Sequence, residues 1–382
     1  MEIKNLKKAA ERITTAVKNK ENIILYGDAD LDGAASVIIF KEALKNLGAE
    51  PSAVYFPDRE TEGYGITPKG LDYLKKFSPA LLVAFDLGIG NFEEVKTAKK
   101  LGLEVIIIDH HEILDKLPSA SIIVNPKQKG DRWPFKEFAA SGLSFKLAEL
   151  ILAEKFSDSL RNNFLELAAL ATIADMMPKK DENALIISEG KESLERSWRP
   201  AVKLIFSADY FRDFPTVGEK ISRFIFILNV RDVKNGLPAS FRLLESRSLD
   251  EAGEILKELI KKTEDRRQKI KEVVAEVENN LFLKSGSIIF EGSADWDYIL
   301  ISAAASILCK KYKKPTFIFK KLDKESQGTV RTPEEVNSVL MMKKCKKLLL
   351  TFGGHPQASG FRLKNENLEK FKECLIKNYK GV

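Results

Sequence analysis

The sequence IIIDHHEI, residues 106–113, joins an apolar run to an aspartate and two adjacent histidines. The chain has 382 residues and only 3 histidines, so a neighbouring pair calls for a physical reason. Three consecutive isoleucines are typical of a buried strand, because β-branched side chains pack well in a sheet. The stretch therefore predicts a central strand that ends directly in polar, metal-binding side-chain types.

Similar apolar runs surround this strand in the first half of the chain. They lie at 23–26, 52–56, 80–85, 104–109 and 120–124. Segments of helical period separate the first four, and strands that alternate with helices indicate a parallel sheet covered on both faces. Such sheets bind ligands at the carboxyl ends of their strands. We therefore predict an α/β domain with its functional site at that edge.

The second half is predicted to contain more helices, one long helix and a second α/β region. Residues 139–197 have helical periodicity, and 249–283 form a long polar stretch of the same period. That stretch is longer than most globular helices and would connect two domains. From residue 286 onward an α/β pattern restarts, with a helix at 298–311.

The composition favours a cytoplasmic protein with a polyanionic partner. Lys and Arg number 62 against 55 Asp and Glu, which gives a formal net charge of +7. This excess suits nucleic acid, although solvated Lys-rich helix faces produce the same balance. No window approaches the roughly 20 apolar residues that span a bilayer, and the N-terminus lacks the apolar core of a signal peptide. We expect no membrane partner.

The 3 cysteines, Cys309, Cys345 and Cys374, are odd in number, far apart and without metal-binding spacing. Cytoplasmic thiols are usually kept reduced. We therefore expect all of them to be reduced thiols that serve as packing residues.

Acidic residues gather at the carboxyl ends of the predicted strands. The first strand ends in DADLDG, residues 28–33, the third ends at Asp86, and the fourth ends in DHH, residues 109–111. A later helix carries Asp175. Clustered carboxylates raise one another's pKa, so the arrangement is stable only around positive charge. Oxygen ligands with one or two imidazoles suit Mn²⁺ or Mg²⁺ better than a thiolate-rich zinc site would.

The combination of motifs is more informative than any one of them. A strand-end Asp before Gly is usually a turn residue or a helix cap. DADLDG also resembles a calcium loop, but Ile39 stands where that loop has its twelfth-position Glu. Together the motifs favour a site where Asp86 bridges two ions. Two ions about 3.5–4 Å apart would hold both the attacking water and the leaving oxygen of a phosphate displacement.

Taken in order, DADLDG, Asp86, the DHH triplet and Asp175 resemble the four motifs of the DHH phosphoesterase family. In particular they resemble its RecJ-like branch of single-strand-specific exonucleases, in the compact archaeal layout without the C-terminal OB-fold. In the tail, GTVRTP (328–333) and FGGHPQASG (352–360) resemble motifs of the DHH-associated domain. The resemblance covers most of the chain. It implies an α/β fold in which a parallel-sheet DHH domain is joined by a long helix to a smaller C-terminal α/β DHH-associated domain.

The resemblance also suggests domain boundaries. We predict a DHH catalytic domain at 1–197, a helical connector with the long linking helix at 198–284, and a DHH-associated substrate-binding domain at 285–382.

Position by position, the resemblance implies a role for each site residue. The metal ligands would be Asp28, Asp30, Asp86, His110 and Asp175, holding two Mn²⁺ or Mg²⁺ ions. As catalytic residues, Asp109 would orient the histidine pair and His111 would face the scissile phosphate. The substrate-binding residues would be Arg59, Thr329, Arg331, Gly353, Gly354 and His355.

Two positions depart from the family pattern. Tyr26 stands where RecJ proteins usually carry a His that helps to hold one metal. That ion would be held more weakly, or be completed by water or by Asp32. The family's Asn-Ala-x-Gly-Arg stretch appears at 229–233 without Arg at the matching place, where Arg231 could substitute. Strand polarity and recognition of a 5′-phosphate therefore stay open.

Three functions fit these features. The first is a metal-dependent exonuclease in DNA repair or replication that acts on single-stranded DNA, or on RNA, with a helicase or replisome protein as partner. The second is a small-substrate phosphodiesterase of the oligoribonuclease or cyclic-dinucleotide type. The third is an inactive replication scaffold descended from a nuclease. The DxDxDG motif and the loop around Arg59 favour the first.

Overall fold

The computed structural model describes residues 2–59, 61–113, 116–230, 232–282 and 286–379. The chain divides into two compact units, Met1–Ile260 and Lys261–Val382. Arg231 and the predicted boundary at 284/285 lie outside the described residues. The division into three domains therefore stays a prediction.

The first unit is built on a parallel sheet of five strands. These are β1 (Asn22–Gly27), β2 (Ala53–Tyr55), β3 (Ala80–Phe85), β4 (Leu103–Ile108) and β5 (Ile122–Val124). Their order in the sheet is β2-β1-β3-β4-β5, and every pair is parallel. In this order the connections reverse direction between β1 and β3, which is where open α/β sheets bind their ligands.

Helices cover both faces of this sheet, and further helices pack against those. The helices of the unit are α1 (Leu6–Lys18), α2 (Leu31–Asn46), α3 (Pro68–Leu74), α4 (Phe92–Lys100), α5 (Ala140–Leu152), α6 (Asp158–Ala174), α7 (Asp181–Glu195), α8 (Pro200–Ser207), α9 (Val217–Leu228) and α10 (Ala239–Leu244). Alternate strand residues point to opposite faces. Val83 and Ile106 belong to the large core with α1, α2, α5 and α6, whereas Leu82 and Ile107 belong to a smaller core with α3 and α4. Both faces are buried, which explains the unbroken apolar runs.

A short hairpin and a long helix follow. The hairpin consists of β6 (Val233–Lys234) and β7 (Leu237–Pro238). Helix α11 (Leu249–Phe282) continues from the first unit into the second. Its Leu256 and Leu259 are buried in the core of the first unit, and Val277 is buried in a core of the second.

The second unit is a mixed sheet with helices on both faces. Its elements are β8 (Ile289–Ser293), α12 (Tyr298–Tyr312), β9 (Thr316–Lys321), β10 (Glu325–Arg331), α13 (Ser338–Lys343), β11 (Thr351–His355), β12 (Ala358–Lys364) and α14 (Leu368–Asn378). The sheet order is β11-β12-β10-β9-β8. Only β8 and β9 pair in parallel within the described sheet.

The predicted fold class is confirmed. The five predicted strands of the first half, the long helix and the second α/β region are all present. None of the helices in the described parts of the chain combines the length and the apolar character that crossing a membrane requires.

The prediction that all cysteines are reduced is wrong for two of them. Cys345 and Cys374 form a disulfide, and their Cα atoms lie 6.1 Å apart. Cys345 follows α13 and Cys374 lies in α14, and both side chains belong to the same core of the second unit. This tertiary contact brings the thiols within bonding reach, although 29 residues separate them in the sequence. Cys309 is a buried free thiol, as expected.

A buried ion-pair cluster ties the helical layer of the first unit together. The side chain of Arg199 is only 2% exposed. Its guanidinium lies 2.7 Å from a Glu42 oxygen on α2 and 2.7 Å from a Glu166 oxygen on α6. Burial raises the pKa of both carboxyl groups, that of Glu166 to about 7, against the opposing effect of Arg199. One guanidinium therefore compensates one buried and one partly buried acid.

We expect Arg199→Leu to lower the free energy of unfolding by about 3–5 kcal/mol, because it leaves the buried Glu166 carboxylate and the partly buried Glu42 carboxylate without this cation. The control is Arg161→Leu, which breaks the half-exposed pair with Glu189 and should cost about 1 kcal/mol or less. Urea titration followed by circular dichroism measures both. Equal losses in the two variants would contradict the structural importance of the buried cluster.

Candidate metal centre

The carboxyl edge of the parallel sheet brings three aspartates side by side. Asp28, Asp86 and Asp109 each follow the last residue of a strand. Their backbone N–H groups still donate across the sheet, to Phe85 at 3.2 Å, Ile108 at 2.9 Å and Val124 at 3.0 Å. The sheet therefore fixes where each aspartate leaves it. The predicted convergence follows from strand register alone.

The turn from β1 into α2 is held by its own acidic side chains. Asp30 caps α2, because its Oδ1 accepts hydrogen bonds from the N–H groups of Asp32 and Gly33, both at 3.1 Å. A Cβ atom on Gly33 would lie 2.3 Å from the Asp28 carbonyl oxygen, so only glycine fits there. The DADLDG sequence thus builds a tight turn that presents two carboxylates.

Asp32 anchors the start of α5. Its buried carboxylate accepts hydrogen bonds from the N–H groups of Ala140 at 2.7 Å and Ser141 at 2.9 Å. Its Oδ2 also lies 3.9 Å from Nε2 of His110. Asp32 therefore anchors α5 beside the histidine, a contact between distant segments that the sequence does not show.

Asp86 and His110 form the centre of the cluster. Both are buried, and His110 Nε2 lies 3.1 Å from Asp86 Oδ1 and 3.5 Å from Asp175 Oδ2. Three sets of side chains bring ligand atoms within 4.8 Å of one another. These are Asp28, Asp30 and Asp86; Asp86, His110 and His111; and Asp32, His110 and Asp175. Asp86 is common to the first two sets, and His110 to the last two.

The charges in this cluster are unbalanced. Burial, reinforced by Asp30, Asp32, Asp28 and Asp109, raises the pKa of Asp86 well above its ordinary value. Burial and neighbouring acids also raise the pKa of Asp175, to about 7. Burial lowers the pKa of His110, which favours the neutral imidazole that binds metals. The site therefore has more carboxylates than cations, and they surround a His110 whose neutral form is favoured.

The donor set fits a divalent cation. Carboxylate oxygens with one or two imidazoles are the ligands that suit Mn²⁺, and oxygens those that suit Mg²⁺. The Nε2 atom of His110 lies 3.1 Å from Asp86 and 3.5 Å from Asp175, so it is the ring nitrogen that faces the acids. A cation held there would offset the repulsion that the surrounding acids exert on Asp86 and Asp175. All five predicted ligands therefore lie where they could hold metal.

Asp109 differs from Asp86 although both are buried at adjacent strand ends. It accepts hydrogen bonds from the N–H groups of Ile89 at 3.0 Å, His110 at 2.7 Å and His111 at 3.1 Å. Its Oδ1 also lies 2.8 Å from Nδ1 of His111. Burial would raise the pKa of Asp109, but the contact with His111 outweighs it and lowers that pKa. The same contact raises the pKa of His111 to about 9.

Arg59 lies against the acids of the β1–α2 turn. Its guanidinium contacts Asp28 at 2.5 Å and Asp30 at 2.8 Å. It also lies 4.9 Å from the ring centre of Tyr64. This arrangement places Arg59 beside the candidate metal ligands Asp28 and Asp30.

Tyr26 does not face the acidic cluster. Its buried hydroxyl accepts a hydrogen bond from Thr67 N–H at 3.1 Å and donates to the carbonyl of Gly65 at 3.2 Å. Burial raises the pKa of this phenol to about 12. The residue that replaces the family His therefore holds the loop that follows Arg59. No feature of the sequence indicates this role.

The predicted substrate residues of the second unit lie on two strands of its sheet. Thr329 and Arg331 are on β10, and residues 353–355 are on the edge strand β11. β12 runs between them, with Gly360 paired to Thr329 on one side and to Gly353 on the other.

Arg331 is held in place by α12. It donates to Ser302 Oγ at 2.6 Å, Ser306 Oγ at 3.1 Å and Thr329 Oγ1 at 3.0 Å.

Gly354 has a φ of 132°, and a Cβ there would lie 2.6 Å from the Ala358 carbonyl. The described part of the second unit thus brings these predicted substrate residues onto one sheet.

Comparison with known families identifies both regions. Residues 22–172 match the DHH family, N-terminal domain, and residues 285–381 match the DHHA1 domain. The single-stranded-DNA-specific exonuclease RecJ of Bacillus subtilis has 34% sequence identity to this chain, in an alignment that covers 98% of the chain. Its counterpart in Salmonella typhimurium has 26% sequence identity, in an alignment that covers 97% of the chain. The chain spans 48% of the first relative's length and 68% of the second's.

Solved structures share the fold. A crystal structure of exonuclease RecJ bound to manganese aligns over 100% of this chain and 96% of its own, with a TM-score of 0.80 and 24% identity. RecJ from Thermus thermophilus in complex with Mn²⁺ aligns over 99% of this chain and 55% of its own, with a TM-score of 0.79 and 23% identity.

We expect Asp86→Asn to stabilise the metal-free protein and to abolish its stabilisation by Mn²⁺. Asn tolerates the φ of 62° at this position and removes the buried charge. A raised carboxyl pKa lowers stability as pH rises above the ordinary value of 3.8. The gain should therefore grow as the pH rises from 5 to 8.

Thermal and urea unfolding between pH 5 and pH 8, with EDTA or with Mn²⁺, measure this effect. Asp72→Asn, at an exposed carboxylate of α3, is the matched control and should change neither quantity. An Asp86→Asn protein that Mn²⁺ still stabilises as it does the wild type would contradict the assignment.

We expect Asp109→Asn to move the pKa of His111 from about 9 toward its ordinary value near 6.5. The amide oxygen can still accept the hydrogen bonds of the His110 and His111 N–H groups, the Ile89 N–H loses its acceptor, and the charge beside Nδ1 is lost. Because the chain has only 3 histidines, NMR titration of the imidazole signals resolves each one. Glu112→Gln removes an exposed neighbouring carboxylate and should leave the His111 titration unchanged; an equal shift in both variants would refute the role of Asp109.

Proposed function

The chain belongs to the DHH family, with a DHHA1 domain after its DHH domain, and from this membership we propose that it is a metal-dependent exonuclease acting on single-stranded DNA. One observation carries the proposal: Asp28, Asp30, Asp86, His110 and Asp175 converge from separate segments into overlapping sets of metal-binding side chains. The 34% identity to the B. subtilis single-stranded-DNA-specific exonuclease supports the substrate class. Since the chain spans 48% of that relative, its activity and substrate stay proposals.

The proposed cofactor is a pair of Mn²⁺ or Mg²⁺ ions. Asp28, Asp30 and Asp86 would hold one ion, and Asp86, His110 and Asp175 would hold the other. When bound, such ions neutralise phosphate charge and acidify a water for attack on phosphorus. Two RecJ crystal structures with manganese share this fold.

His111 is the proposed catalytic residue that donates a hydrogen bond to the scissile phosphate. Its Nδ1 is held by Asp109 at 2.8 Å, and its side chain is 55% exposed. With a pKa of about 9 the imidazole is protonated at neutral pH. The Nε2–H can then donate to a phosphate oxygen and stabilise the charge that develops there. Asp109 acts by fixing the orientation and charge of this ring.

The proposed substrate contacts are made by Arg59, Thr329, Arg331 and residues 353–355. A guanidinium offers a two-pronged donor to a phosphate, and glycines allow backbone N–H groups to approach one closely. The preference for DNA over RNA and a helicase or replisome partner stay predictions from the resemblance.

We expect the protein to release mononucleotides from a single-stranded 30-mer when Mn²⁺ or Mg²⁺ is present. His110→Ala should lower the rate by more than about 100-fold, because even outer-shell partners of metal ligands cost 10–100-fold. Asp72→Asn should keep the wild-type rate. Strands labelled at the 5′ or the 3′ end, with and without a terminal phosphate, reveal the polarity.

A dinucleotide assayed in parallel separates the other functions. Faster turnover of the dinucleotide than of the 30-mer would replace the proposal with a small-substrate phosphodiesterase. Absence of both turnover and Mn²⁺ binding in calorimetry would replace it with an inactive scaffold.

A further inference from the structure

A groove beside the end of α6 lies outside the candidate metal centre. Its volume is about 610 Å³, within the range of roughly 300–1,000 Å³ that is usual for ligand sites. Its walls come from Ile173 on α6, Lys179 after it, Lys191 on α7, and the segment 214–226 that includes most of α9. The segment 214–226 thus contributes most of the residues of this surface.

Aromatic side chains form the apolar wall of the groove. Phe226 lines it with a side chain that remains 50% exposed, and Phe214 lies nearby, packed partly against the core. The Arg223 guanidinium lies 5.2 Å from the centre of the Phe226 ring and 5.1 Å from that of Tyr210. Arg223 therefore supports the exposed ring from one side. A flat ring held in this way is a platform on which a nucleobase can stack.

The charged side chains of the groove are mostly cationic. Lys179, Lys191 and Arg223 line it, against a single carboxylate, that of Glu219. Glu219 is engaged at the start of α9, where it accepts hydrogen bonds from Thr216 N–H at 3.0 Å and Thr216 Oγ1 at 2.8 Å. The helix terminus is thus already capped by the chain itself. The excess positive charge of the groove complements a phosphate backbone.

The groove and the candidate metal centre lie at the same end of α6. Ile173 lines the groove, and Asp175, two residues later, lies 3.5 Å from His110. Two residues advance about 3 Å along a helix axis but turn about 200° around it, so the two side chains leave the helix on opposite sides. A strand whose scissile phosphate is at the metal centre must therefore pass around the end of a helix about 10–12 Å in diameter, a few nucleotides of chain, to reach the groove.

We propose that this groove binds a nucleotide of the single strand a few positions away from the cleaved one. Phe226 stacks on its base, and Lys179 and Lys191 contact its phosphates. The inference rests on the proposed exonuclease function and adds to it a base-stacking subsite on the first unit. Stacking on an aromatic ring is tolerant of sequence, because every base has a π-face.

The test is binding of fluorescein-labelled dT20 to the full chain in EDTA, followed by anisotropy at fixed salt, so that no cleavage interferes. Phe226→Ala should weaken binding about tenfold, within the range for loss of one stacked base. It should change binding of an abasic strand of equal length by less than about twofold. Lys179→Glu should weaken binding of both strands, because its contact is with the backbone.

Two variants outside the groove serve as matched controls. Leu185→Ala truncates another exposed apolar side chain, 61% exposed on α7, and Lys180→Glu reverses the charge next to Lys179. Both should bind dT20 and degrade it as the wild type does. Since all four positions are at least partly exposed, the variants should fold, which circular dichroism checks.

The outcomes separate the two proposals. If the wild type degrades dT20 but Phe226→Ala and Lys179→Glu bind it like the controls, the groove inference is overturned and the exonuclease function stands. An equal loss on dT20 and on the abasic strand for Phe226→Ala would also overturn base stacking. If the wild type neither binds nor degrades dT20, both proposals fall.

Discussion

Mutual repulsion among buried carboxylates is the constraint on which this molecule depends. Parallel strands in register end at one edge, so Asp28, Asp86 and Asp109 cannot avoid one another. The protein offsets part of this repulsion with its own groups: backbone N–H donors at Asp109, a guanidinium at Asp28 and Asp30, and an imidazolium beside Asp109. Asp86 receives the least of this compensation. A negative charge is therefore least stable at Asp86, the position where the proposed metal chemistry needs it most.

Asp86 and Asp109 show how environment assigns different tasks to the same side chain. Both are buried and follow adjacent strands, yet the pKa of one is raised and that of the other lowered. Asp86 lies among other acids, so it is suited to bind an added cation. Asp109 accepts hydrogen bonds from N–H groups and from His111, so its role is to orient that histidine. Neighbouring groups whose pKa values are driven apart in this way are a common basis of acid–base function.

The sequence predicts the sheet and the convergence of the acids because both follow from local patterns. Apolar runs define the strands, and parallel alignment then places their last residues at one edge. The ion pair of Arg59, the inward hydroxyl of Tyr26 and the double role of Asp32 depend on contacts between distant segments. The disulfide between Cys345 and Cys374 depends on how α13 and α14 pack. No periodicity or spacing contains that information. The exposed Phe226 belongs to the same class, since an aromatic residue on a helix is more often part of the core.

The backbone at Asp86 limits how such a protein can diverge. Its φ of 62° is in the left-handed region, which only glycine, asparagine and aspartate occupy readily. A lineage that loses metal chemistry is restricted at this position, because Ala or Ser would strain the turn as well as remove the carboxylate ligand. Its descendants should therefore carry Asn or Gly there, so that loss of catalysis leaves a recognisable mark in the sequence while the sheet around it survives.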